Sequence, residues 1–100
     1  MIMTTAQFES AAKAAICEYL EDEHGLKFSP DQMHTVWLCH IMGFKKALFI
    51  DPDRKSNRYY EVTWNAGLDE MYVDVYQKQD KVTLDMDQVQ GILKRAEGKA

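Results

Sequence analysis

Two short stretches of this sequence alternate strictly between side-chain classes: Tyr59-Tyr60-Glu61-Val62-Thr63-Trp64-Asn65 and Met71-Tyr72-Val73-Asp74-Val75-Tyr76. Alternation with a period of two puts one set of side chains on each face of a strand. Ala66-Gly67-Leu68-Asp69 supplies a reversal between them, so the pair reads as an antiparallel hairpin. In the register that sets Val62 against Val73, Tyr60 and Trp64 meet Val75 and Met71 on the same face. That face is predicted to be core. The other face then carries Tyr59 opposite Tyr76, Glu61 opposite Asp74, and Thr63 opposite Tyr72. Like charges directly opposite are mildly destabilising, so this face calls for solvent or a partner. These six residues are the candidate site.

The rest of the chain supplies layers for that hairpin. Thr4-Thr5-Ala6-Gln7 is a capping-box pattern, and Phe8, Ala11, Ala12, Ala15, Ile16, Tyr19 and Leu20 form a helical stripe. Gly25 after His24 is a stop, so a helix is predicted over residues 5–24. Its last turn holds Glu18, Glu21, Asp22 and Glu23 at the negative end of the helix dipole. This acidic end is either solvated or a contact for a basic partner.

Ser29-Pro30-Asp31-Gln32 is a second helix start. The segment after it fits either a helix ending at Gly43 or a strand buried on both faces, and periodicity does not separate them. The composition of 35–42, with Val36, Trp37 and Ile41, favours one helical turn at 30–33 and then a strand. Lys46–Ile50 reads as an inner strand. Lys81–Leu84 would add a short edge strand. Asp85, three residues before Gln88, caps a short amphipathic helix through Val89, Ile92, Leu93 and Ala96, with Lys94, Arg95 and Lys99 at its C-terminal end. The expected fold is α+β: an N-terminal helix, an antiparallel meander of 3–5 strands and a C-terminal helix, with the helices on one sheet face. The whole chain, 1–100, is expected to form one domain.

Composition removes several classes of function. Hydrophobic residues make up 46% of the chain, enough for a core without disulfides or metal. Cys17 and Cys39 are expected to be buried, reduced thiols in a cytosolic protein. No leader follows Met1, and no run approaches the ~20 apolar residues of a membrane span. A net charge of −4 argues against a general nucleic-acid binder. His24, His34 and His40 with the two cysteines show no metal-ligand spacing. There is no glycine-rich phosphate loop and no marked catalytic triad. No cofactor is expected. A local basic pole is expected from Arg54, Lys55 and Arg58 in one loop and Lys78 and Lys81 in another at the same end of the sheet; it would steer an acidic partner.

Four pieces occur in order: Val36-Trp37-x-Cys39, Lys46-Ala47-Leu48, Tyr59-Tyr60-Glu61-Val62-Thr63-x-Asn65 and Glu70-Met71-Tyr72-x-Asp74-x-Tyr76-x-Lys78. Together they resemble a family of small, uncharacterised bacteriophage and prophage proteins, over about residues 30–84. The chain departs from the family pattern at Trp64, where the family has Tyr, and in a longer turn between Asn65 and Glu70. The resemblance implies a phage or prophage setting, a bacterial cytoplasm and a strand at 35–42. It implies no catalytic residue and no ligand.

The expectation is an accessory protein that binds a macromolecular partner, a protein rather than nucleic acid, through Tyr59, Glu61, Thr63, Tyr72, Asp74 and Tyr76. A phage setting suggests host takeover or defence evasion. One rival is a small enzyme using Glu61 and Asp74, with or without a divalent metal. Another is a homodimer formed through an edge strand or the tyrosine face.

Overall fold

A computed structural model describes residues 2–98. Helix α1 spans Thr5–His24, and four strands come next: β1 (His34–Ile41), β2 (Phe44–Ile50), β3 (Arg58–Asn65) and β4 (Glu70–Gln77); helix α2 spans Met86–Glu97. The strands form one antiparallel sheet in sequence order, a meander. The α+β class and element order are those expected from the sequence.

Helix α1 starts and stops as its sequence dictates. The Thr4 hydroxyl accepts the Gln7 N–H at 3.1 Å, and Gln7 Oε1 accepts the Thr4 N–H at 2.9 Å. Gly25 takes the left-handed conformation, φ 65°, and its N–H reaches Glu21 O while that of Leu26 reaches Leu20 O. An L side chain resists that φ, which is why glycine ends the helix here. Phe8, Ala12, Ile16 and Leu20 recur every four residues and are fully buried against Met33, Ala47, Phe49, Tyr60, Val62 and Trp64. Burying each large side chain contributes about 1.5–3 kcal/mol. The alanines of the wider stripe let the helix sit close to the sheet. The acidic end of α1 is exposed, with one long ion pair among the described residues, Lys27 to Glu21 at 4.0 Å.

Residues 30–32 form a single 3-10 turn, capped by Ser29 and Gln32, and β1 begins directly after it. The strand reading of this segment holds, and the helix reading falls. β1 is nonetheless an edge strand, not one buried on both faces. A bulge between Thr35 and Trp37 leaves Val36 unpaired and switches faces. Thr35 therefore points to α1, where its hydroxyl donates to Glu9 Oε2 at 2.6 Å. Trp37, Cys39 and Ile41 point to the opposite face, which no helix covers; Ile41 is 62% exposed. Met42 and Gly43, both with positive φ, close a two-residue hairpin into β2.

Three expectations need correction. Residues 81–84 form no strand, and Val82 is 78% exposed; the chain has run past the end of the sheet, so no edge lies beside them. Helix α2 has the expected capping box at Asp85 and Gln88, but Val89, Ile92 and Leu93 stay 43%, 43% and 55% exposed. Only α1 buries its apolar stripe on the sheet. Cys17 and Cys39 are free but half-buried, and burial together with Asp31 pushes the Cys17 thiol pKa up. Lys99 lies outside the described residues.

Candidate functional site

The register of β3 and β4 is the one expected: Tyr59 opposes Tyr76, Glu61 opposes Asp74, Thr63 opposes Tyr72, and Val62 opposes Val73. Tyr60, Val62 and Trp64 lie under α1, with Met71 and Val73 packed against them. The candidate residues share the outer face, away from α1. Tyr59, Tyr72 and Tyr76 are about 40% exposed there. Tyr59 and Tyr76 stack with ring centroids 4.9 Å apart and planes 9° from parallel. A stacked aromatic pair of this kind contributes about 0.5–1.5 kcal/mol beyond the area it buries.

The two carboxylates are not equivalent. β2 brings Lys46 opposite Thr63, and its ammonium reaches Glu61 at 3.4 Å. Glu61 is thus part-neutralised by a neighbour that hairpin reasoning did not include. Asp74 is exposed and makes no ion pair or hydrogen bond within the described residues. Tyr72 donates to Glu70 at 2.9 Å, and that bond is the main cause of its raised pKa. Among the described residues, no three His, Cys, Asp or Glu side chains are placed to hold a metal ion. No helix of the described residues is long and apolar enough to cross a membrane.

The basic pole is only partly available. Arg54, Lys55, Lys78 and Lys81 are exposed, but the Arg58 side chain is only 11% exposed. Its Nε donates to the Tyr60 hydroxyl at 3.2 Å and lies 3.8 Å from Asp51. Tyr60 donates to Asp51 Oδ2 at 2.5 Å, and Asp51 also accepts the Asp53 N–H and the Ser56 hydroxyl. Arg58 therefore clasps the 51–58 loop to the sheet. Sequence reasoning placed Tyr60 in the core but missed this clasp. Its signal was a core-facing tyrosine, whose hydroxyl needs a partner when buried, on the strand after the one that Asp51 ends.

The clasp has a pH signature. Burial and the bond to Asp51 push the Tyr60 pKa well above the ordinary tyrosine value of 10. In the unfolded chain tyrosine loses its proton near that value, whereas folded Tyr60 keeps it. The stabilisation is complete below about pH 10 and is lost as pH rises from there towards the folded pKa. Denaturant midpoints should fall more steeply above pH 10 in the native protein than in Tyr60→Phe. Equal slopes would contradict this assignment.

The Family of unknown function (DUF6275) matches residues 9–86 of this chain. The chain belongs to that family. No curated protein and no solved structure matches it. The matched span takes in most of α1, the whole sheet and the linker to α2, so both faces of the sheet lie within it.

Proposed function

We propose that this family member acts by binding a protein partner through the outer face of β3 and β4, in the bacterial cytoplasm of a phage or prophage setting. The observation that carries this reading is the stacked Tyr59–Tyr76 pair beside the unpartnered Asp74, on a face no helix covers. Tyrosines bury large areas at low entropic cost on association and are common among residues that dominate binding energy. Asp74 favours a cationic group on the partner. The acidic surroundings disfavour a nucleic-acid backbone. The Lys46–Glu61 pair weighs against acid–base chemistry by two cooperating carboxylates. The resemblance of residues 30–84 to phage and prophage proteins supports the setting, and host takeover or defence evasion is the role that setting suggests.

The test is paired. Asp74→Asn should leave stability unchanged or raise it by at most about 1 kcal/mol, because it removes a like charge opposite Glu61. As bait in a host lysate, the same variant should lose a protein that the native chain captures. Unchanged capture, or a marked loss of stability, would sink the reading.

A further inference from the structure

Strand β4 closes one side of the sheet and pairs with β3 alone. The direction of its backbone groups follows from the ladder. The Lys78 N–H bonds to Asn57 O at 2.8 Å, and along an antiparallel strand these groups turn alternately towards the neighbour and away from it. Tyr72, Asp74 and Tyr76 therefore turn theirs to β3. Met71, Val73, Val75 and Gln77 turn theirs outward, where no hydrogen bond meets them among the described residues. Sheets guard such edges with bulges, prolines or lysines. The opposite edge, β1, has its bulge at Val36. Between Glu70 and Gln77 the β4 edge has none of the three. An unguarded edge of this kind accepts another extended strand.

The charges of β4 select the strand. Two copies of β4 paired antiparallel about a two-fold axis keep their faces matched only when the axis passes through a residue, not between two. An axis at Asp74 sets that carboxylate against itself. An axis at Tyr72 sets it opposite Glu70, and one at Val73 or Val75 leaves the two Asp74 side chains diagonal neighbours. An axis at Gln77 sets it opposite Asp80. An axis at Tyr76 sets Asp74 of each copy opposite Lys78 of the other, and both residues are exposed in the single chain. We infer that a second copy of this chain binds in this last register, β4 edge to β4 edge, so that the two sheets run on as one. Val75 and Gln77 of one copy then exchange N–H and C=O bonds with Gln77 and Val75 of the other. The stacked Tyr59–Tyr76 pair, 4.9 Å between centroids, continues through Tyr76 and Tyr59 of the second copy as one row of rings. The other charges near the axis do not oppose the contact. Glu61, on the same face as Asp74, is held by Lys46, and Arg58 is held by Tyr60 and Asp51. Asp80 stands diagonal to Asp74, past the end of β4, and Glu70 falls opposite Val82, beyond the paired stretch. Lys78 of the second copy is then a cationic group that Asp74 meets.

Light scattering on the full chain should give twice the 11.6 kDa chain mass. Asp74→Lys and Lys78→Asp each turn both cross-axis attractions into repulsions, and each should weaken the dimer by roughly ten- to hundredfold. Asp74→Lys combined with Lys78→Asp in one chain should restore it, and so should mixing the two single variants. Both positions are exposed, so every variant should keep its helix and sheet circular dichroism. Amide exchange at Val75 and Gln77 should be slower in the native dimer than in the Lys78→Asp monomer, while that of Tyr76 stays slow in both. A dimer unaffected by either single change would overturn the inference, as would a double variant that stays monomeric. Edge pairing covers neither sheet face, so this inference and the proposed function fail separately: a native monomer that still captures a host protein through the tyrosine face would end the first and leave the second standing.

Discussion

Val62→Asp should abolish cooperative folding, while Tyr59→Ser on the opposite face of the same strand should cost less than about 1 kcal/mol. Val62 is fully buried beneath α1, between Ala47 on β2 and Val73 on β4. A carboxylate there has no partner within the hydrophobic cluster, and an unpaired buried charge costs several kcal/mol. Domains of this size have a net stability of only about 5–15 kcal/mol, and the lost valine packing adds to the cost. Tyr59 loses a stacking contact on an open face and nothing else. Urea denaturation of both variants checks the contrast. Equal losses would show that the two faces of the sheet have been assigned the wrong way round.

The second large effect is at the clasp. Asp51→Ala should cost about 3–5 kcal/mol, the usual penalty for removing one partner of a buried ion pair. Asp51 is 7% exposed and accepts from Tyr60, Ser56 and the Asp53 N–H, with Arg58 beside it. Its loss leaves the Tyr60 hydroxyl and the Arg58 guanidinium without the carboxylate they surround. Arg54→Ala in the same loop should change stability by less than about 0.5 kcal/mol, since Arg54 is exposed. Thermal melts of the two variants decide the matter. A stable Asp51→Ala protein would mean that the loop is held by its backbone turns alone.

The parts of this fold legible in the sequence were those written in local periodicity. The β3–β4 hairpin was set by a period of two on both sides of a four-residue turn, and keeping Val62, Trp64 and Tyr60 inside fixes its register. Helix α1 was bounded at both ends by residues with specific backbone roles, Thr4 with Gln7 and then Gly25. What escaped was decided by contacts distant in sequence. The bulge at Val36 carries no local mark, yet it determines that Trp37 and Ile41 face outward. The sequence of β1 is equally apolar whether its outer face is covered or bare. Amphipathicity announced that α2 has a stripe to bury without saying against what. Lys46 reached the candidate site from β2, a strand read only for its own core pattern. The clasp depended on Tyr60 pairing with Phe49, which brings the tyrosine hydroxyl up to Asp51.

The central claim is that the tyrosine face is kept for binding and contributes little to the fold. The double variant Tyr59→Ser with Tyr76→Ser tests it most directly, because it removes the stacked pair and leaves the core face untouched. Urea denaturation and capture from host lysate should be measured on the same preparation. The expected result is a stability loss of about 1 kcal/mol, within the range of a cross-strand aromatic pair, together with loss of the captured protein. A stability loss approaching that of Val62→Asp, or capture equal to that of the native chain, would contradict the claim.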